Sequence, residues 1–224
     1  KNGVYATFMP KPLKDENGSG MHVHQSLFKK DQNVFYDKSD KNHLSKTAKH
    51  YIAGLLKYAP ELCIVTNQWA NSYKRLTPGF EAPVYVSWAK RNRSALVRLP
   101  AYKPGYEGAM RAELRSPDAA CNPYLAFSVM LAAGLEGIRE NLELPEPLEQ
   151  NVLEMSDAEK KKRGIRMLPQ SLGEAITIAQ DSKFLKDTLG EHIFHSLIEN
   201  KKIEWSKYCA EITNYELDKY LPVL

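Results

Sequence analysis

Apolar and polar positions first alternate along this chain, then repeat with a helical period, then lose their rhythm and regain it. Alternation marks strands over 4–9, 21–28, 34–36, 84–88, 95–99 and 110–114. The 3.6-residue repeat marks a helix over about 46–58, with Ser45 placed to cap it and Ile52, Leu55 and Leu56 on one side. A separate apolar stretch, 61–66, follows Pro60. Asn122-Pro123 is an N-cap and first-turn pair opening a long helix to about 141. Residues 143–170 are rich in proline and charge and read as an irregular arm; Ser171 to Glu174 then forms a capping box, and short helices fill 183–200 and 204–220. Strands early and helices late predict an α+β fold with a mainly antiparallel sheet flanked by helices. Residues 1–142 would form the sheet-and-helix core, and 143–224 an arm plus the helical C-terminal part of the same domain.

The 224 residues are 43% hydrophobic, enough for one good core, and the formal net charge of +4 leaves no nucleic-acid footprint. No apolar run reaches membrane-spanning length. Cys63, Cys121 and Cys209 are too scattered for a disulfide framework and fit a reducing cytoplasm. Lys1-Asn2-Gly3 lacks an initiator methionine, and the chain reads as cut from something longer.

Chemistry concentrates in a few segments. On a strand, His22, His24 and Ser26 share one face, beside the glycine-rich turn Asn17-Gly18-Ser19-Gly20. Two imidazoles, a hydroxyl and open backbone N–H groups suit a divalent metal holding a phosphorylated nucleotide. In Arg111-Ala112-Glu113-Leu114-Arg115 two guanidiniums flank one carboxylate on one face, a costly arrangement unless it binds a ligand. Arg93, Arg98, and the Arg75/Glu81 pair around the Pro78-Gly79 turn add charge suited to an anionic, phosphate-bearing substrate.

Four segments, 17–26 (preceded by Ala6-Thr7-Phe8-Met9-Pro10-Lys11-Pro12), 71–83, 91–94 and 111–118, resemble in order the signatures of type I glutamine synthetases, and the whole chain is similar to the C-terminal part of their catalytic domain. The resemblance implies a half-funnel of antiparallel strands and ligation of ammonia to glutamate through γ-glutamyl phosphate, with ATP and Mg²⁺ or Mn²⁺. It implies His22 and Glu113 as metal ligands. His24, Ser26 and Arg111 would contact the nucleotide, and Asn17, Gly18 and Arg75 would hold the amino-acid substrate. Glu81 would close the site and help take the ammonium proton. Arg93 and Arg98 would neutralise the transferring phosphoryl group, and Arg115 would hold the substrate γ-carboxyl or phosphate. A γ-glutamyl ligase acting on another amine, or a non-catalytic nucleotide-binding relative, is the alternative. Further metal carboxylates of the family lie upstream of the position matching Lys1, so the chain alone is expected to be inactive. The family also implies a ring of twelve subunits in the cytoplasm. Leu153 stands where some members carry an adenylylated tyrosine, so that modification is not expected here.

Overall fold

The computed structural model describes residues 2–224, and of Leu153 only the backbone. Lys1 and the Leu153 side chain, with the expectation attached to the latter, lie outside the described residues.

A long helix, α1 (Lys46–Thr66), is the axis of the core. The Ser45 hydroxyl accepts from the Ala48 N–H and caps it as its sequence predicts. The helix does not stop before Pro60, as the separate stretch at 61–66 had suggested. A proline at that position cannot donate to the carbonyl four residues back. Here the Arg166 guanidinium supplies the missing donor, bonding the Leu56 carbonyl at 3.2 Å and the Lys57 carbonyl at 3.3 Å. The second long helix of the core, α3 (Pro123–Arg139), is opened by Asn122, whose side chain accepts from Tyr124 and Leu125. Gly54 of α1 and Gly137 of α3 let the two backbones meet: a Cβ on Gly54 would stand 2.1 Å from the Ala133 carbonyl oxygen and 2.9 Å from the Gly137 Cα.

The four-stranded sheet runs β1 (Val23–Gln25), β6 (Ala112–Leu114), β5 (Val97–Arg98), β4 (Trp88–Ala89). β1 pairs antiparallel with β6 and β6 with β5, whereas β5 and β4 are parallel. Val23, Leu114, Val97 and Trp88 line up across the sheet on the core side, so His24, Glu113 and Arg98 line up on the other. A separate hairpin joins β2 (Phe28–Lys29) to β3 (Gln32–Asn33), in place of one strand over 21–28 and another over 34–36.

Residues 4–9 form no strand. Val4, Tyr5 and Phe8 are 82%, 93% and 72% exposed, and no neighbouring strand offers them an edge. Alternation alone cannot make a strand without a partner ladder.

The arm lies along the segment before β4, with Val86 bonded to Arg166, Leu168 to Val84 and Leu148 to Trp88, each at 2.8 Å. It contains the short α4 (Asp157–Lys162), capped by Ser156. Beyond it come α2's packing partners α5 (Leu172–Gln180) and α7 (Glu191–Ala210), with α6 (Lys183–Leu189) between them and α8 (Asn214–Tyr220) last; α2 itself spans Ala70–Arg75. The break expected near 200–204 instead falls at Gly190, whose φ of 77° is open to glycine. Leu168, Leu172, Ala175 and Leu185 join the same hydrophobic cluster as α1 and α3.

Cys63 and Cys121 are buried and Cys209 is exposed. Burial pushes the Cys63 thiol well up and that of Cys121 to about 11. A thiol reagent is therefore expected to label Cys209 rapidly in the native chain and the other two only after denaturation; prompt labelling of Cys63 would contradict this packing.

Candidate functional site

Glu113 is the hub of the sheet's open face. Its Cα is paired with His24 on one side and Arg98 on the other. The carboxylate is 2% exposed. Its Oε2 accepts from Arg98 Nε at 2.7 Å and its Oε1 from Arg115 Nη1 at 3.3 Å, and His22 Nδ1 stands 3.0 Å from the same Oε1. Strand alternation brings these groups together: Arg111, Glu113 and Arg115 point one way from β6, and antiparallel pairing sets His22 and His24 beside them. Two guanidiniums, those of Arg98 and Arg115, compensate a charge that could not be buried alone.

Both histidines are shifted towards the neutral form. Burial lowers the pKa of His22, with Arg115 next and the Glu113 carboxylate opposing. His24 is lowered by burial, then by Arg111 and Arg98 against Glu113. His24 Nδ1 accepts from Arg111 Nε at 3.0 Å, so its proton resides on Nε2. His22 directs Nδ1 to Glu113, which leaves the Nε2 lone pair for a ligand. A histidine held below its ordinary value of about 6.5 stabilises the fold fully above that pH, and the contribution is lost as pH falls through the unfolded and then the folded pKa. An NMR titration is expected to place the His22 midpoint below about 6.5; a midpoint above it would mean that Glu113 outweighs burial and Arg115.

A cavity of 170 Å³ is lined by Asn17, Gly18, Gly20, His22, Arg75, Phe80, Glu81, Ala82 and Arg115. Arg75, 3% exposed, reaches it from α2. Its Nη1 donates to the carbonyls of Ser116 (2.7 Å) and Pro117 (3.3 Å), and its Nη2 to that of Arg115 (3.0 Å). Arg115 lines this cavity, and its Nε is buried without a hydrogen-bond acceptor. Glu81 and Arg93 form an exposed pair at 3.4 Å on the rim, their side chains 61% and 71% exposed. Behind them Gly79, at φ 94°, turns the loop.

His24 and Ser26 line a second cavity, of 400 Å³, between the β1 edge and Phe127, Met130 and Leu131 of α3. The two imidazoles thus line different cavities, His22 that of Arg75 and His24 the one beside α3. Tyr51 of α1 closes the inner end and fixes β1 by donating to Gln25 Oε1 at 2.8 Å.

The glycine-rich turn is less open than its composition suggests. Ser19 N–H goes to the Pro10 carbonyl at 2.8 Å and Met21 N–H to that of Pro117 at 2.9 Å. Its glycines make room for protein atoms: a Cβ on Gly18 would stand 2.4 Å from Pro10 O, and one on Gly20 2.5 Å from Arg75 Nη2. Gly20, Phe80 and Tyr51 are site residues to which sequence reasoning gave no role; Gly20 and Phe80 carried a signal, lying in the 17–26 and 71–83 segments, and Tyr51 carried none.

Among the described residues, no three His, Cys, Asp or Glu side chains stand close enough to hold a metal ion. His22 and Glu113 offer two donors side by side. A hard divalent cation takes about six oxygen-type ligands, so they suit one flank of a site completed by phosphate, water or other carboxylates.

Comparison with known proteins matches residues 1–220 to the family described as glutamine synthetase, catalytic domain. Curated proteins named glutamine synthetase are 53% identical in Methanosarcina mazei, 48% in Thermotoga maritima and 47% in Mycobacterium tuberculosis, covering 99%, 98% and 99% of this chain and 49%, 49% and 50% of theirs. The chain spans about half the length of the curated relatives it matches. A solved structure named GmaS/ADP complex-Conformation 1 superposes with a TM-score of 0.84 at 32% identity, over 96% of this chain and 49% of that one.

Proposed function

The chain belongs to the glutamine synthetase catalytic-domain family, and on that premise we propose that it forms one half of an active site, in a longer polypeptide, that joins ammonia to glutamate at the expense of ATP. The γ-carboxylate of glutamate takes the terminal phosphoryl group of ATP. Ammonia then displaces phosphate from the γ-glutamyl phosphate, and glutamine, ADP and phosphate leave. The observation that carries this reading is the single face on which His22, Glu113, Arg98 and Arg115 converge beside the Arg75 cavity.

His22 and Glu113 would hold a Mg²⁺ or Mn²⁺ ion, which supplies charge neutralisation on the transferring phosphoryl oxygens. The Arg115 guanidinium, with its unpaired buried Nε, binds the γ-carboxyl or the phosphoryl group formed on it. Arg98 adds positive charge one strand away, and Arg93 brings a second cation from the rim as the Glu81 loop closes. Glu81 accepts the proton that ammonium must lose before nitrogen attacks. Asn17, Gly18 and Arg75 hold the amino-acid end of glutamate. The Arg75 donors already given to carbonyls fix its orientation, a planar fork that lysine could not present. His24, Ser26 and Arg111 meet the nucleotide, whose base has the apolar wall of Phe127 and Leu131 beside it.

We further place this protein in the cytoplasm as a subunit of a ring of twelve; among the described residues no helix is long and apolar enough to cross a membrane. The test is a coupled ADP assay. Residues 1–224 alone are expected to show no turnover, and the longer polypeptide is expected to form glutamine from glutamate, ammonium and ATP. Turnover by the 224-residue chain, or a preference for an alkylamine or polyamine over ammonium, would overturn the assignment.

A further inference from the structure

Behind the Arg75 cavity lies a polar network sealed from solvent: Thr66, Asn67, Ser72 and Asp118 are each 0% exposed. Asn67 is the residue that ends α1. Its Nδ2 donates to the Ser116 carbonyl at 2.8 Å and to Asp118 Oδ2 at 3.2 Å, and its Oδ1 accepts from the Thr66 hydroxyl at 2.9 Å. Both amide hydrogens are therefore used. The Asp118 carboxylate also accepts from the Ala120 N–H at 3.1 Å, while the Asp118 N–H donates to the Thr66 carbonyl at 3.2 Å.

The Ser116 carbonyl is shared. Asn67 holds it from one side and Arg75 Nη1 from the other, at 2.7 Å. The neighbouring carbonyls of Pro117 and Arg115 also accept from the Arg75 guanidinium, at 3.3 Å and 3.0 Å, and Pro117 takes the Met21 N–H next to His22. Arg75, Arg115 and His22 thus all depend on one turn, residues 115–118, and Asn67 is its brace from the helix side. The end of α1 does not need that side chain, because the Asn67 backbone N–H closes the helix on the Cys63 carbonyl at 2.7 Å.

We infer that Asn67, braced by Asp118, is a positioning residue: its carboxamide fixes the 115–118 turn and so sets where the Arg75 and Arg115 guanidiniums stand in the cavity. The kinetic consequence rests on the function proposed above; the geometric one does not. Two experiments separate them. In the 224-residue chain carrying Asn67→Ala, NMR is expected to show the Arg75 side-chain N–H signal shifted and exchanging with water at least about tenfold faster, with the amides of central α1 unchanged. An unmoved Arg75 signal overturns the inference. In the longer polypeptide, Asn67→Ala is expected to raise the KM for glutamate by about tenfold to a hundredfold, in line with the cost of an ångström-scale misplacement, while the KM for ATP stays within about twofold. Equal changes in both constants, or none, overturn the inference.

Asp118→Asn keeps the shape of the brace and removes its charge. It is expected to move the same signal and the same KM in the same direction by less, which keeps the proposal open to refutation should Asn67→Ala fail to fold. Absence of glutamate-dependent turnover in the unmutated longer polypeptide would overturn the proposed function, and the Arg75 signal would then decide the positioning role by itself.

Discussion

Glu113→Ala is expected to destabilise the 224-residue chain by about 3–5 kcal/mol, the usual cost of removing one partner from a buried ionic cluster. The carboxylate is 2% exposed and bonds Arg98 and Arg115 at once, with His22 Nδ1 3.0 Å away. Without it, Arg115, itself 4% exposed, loses its bonded counter-charge and keeps only the exposed Glu81 carboxylate across the cavity. Glu113→Gln keeps the shape and an acceptor oxygen and is expected to lose less. Urea denaturation measures both. A loss below about 1 kcal/mol for alanine, the range of an exposed pair, would show that solvent rather than Glu113 satisfies the arginines. In the longer polypeptide either substitution is expected to abolish glutamine formation, because the same side chain would serve the metal and the phosphoryl-binding arginines.

Gly54→Ala is the second large effect, and two opposing terms decide its sign. Alanine is favoured over glycine in a helix interior by about 1 kcal/mol. The added Cβ, however, would lie 2.1 Å from the Ala133 carbonyl oxygen and 2.9 Å from the Gly137 Cα. Both are backbone atoms, so no side chain can turn aside and α1 must move off α3. Overpacking of this kind costs about 3 kcal/mol, which leaves a net loss of about 2 kcal/mol and a fall in Tm of about 4–8 °C. Gly108→Ala meets nothing within 4 Å and is expected to leave Tm unchanged. A Gly54→Ala chain as stable as the parent would mean that the two helices are not in backbone contact.

Much of this was legible in the sequence because it is local. Ser45, Asn122 and Ser171 cap helices through hydrogen bonds two or three residues ahead. The Arg-Ala-Glu-Leu-Arg alternation sets three charges on one face of β6 whatever its neighbours are. What escaped was decided at long range. The continuation of α1 through Pro60 depends on Arg166, over a hundred residues away. The pattern over 4–9 promised a strand but had no edge to join. The glycines near 18–20 looked like a phosphate cradle and prove to be spaced for Arg75 and Pro10. Asn67 gave no signal, since a polar residue at a helix end is commonplace and its value lies in Ser116 and Asp118, some fifty positions later.

The central claim is that cation and nucleotide phosphates share the lining made by β1 and β6. Its most direct test is an anomalous-scattering map of the longer polypeptide crystallised with Mn²⁺ and ADP. A manganese peak is expected within coordination distance of His22 Nε2 and the Glu113 carboxylate, with the diphosphate between Arg111 and Arg98. A peak elsewhere, with Glu113 still closed between Arg98 and Arg115, would contradict it.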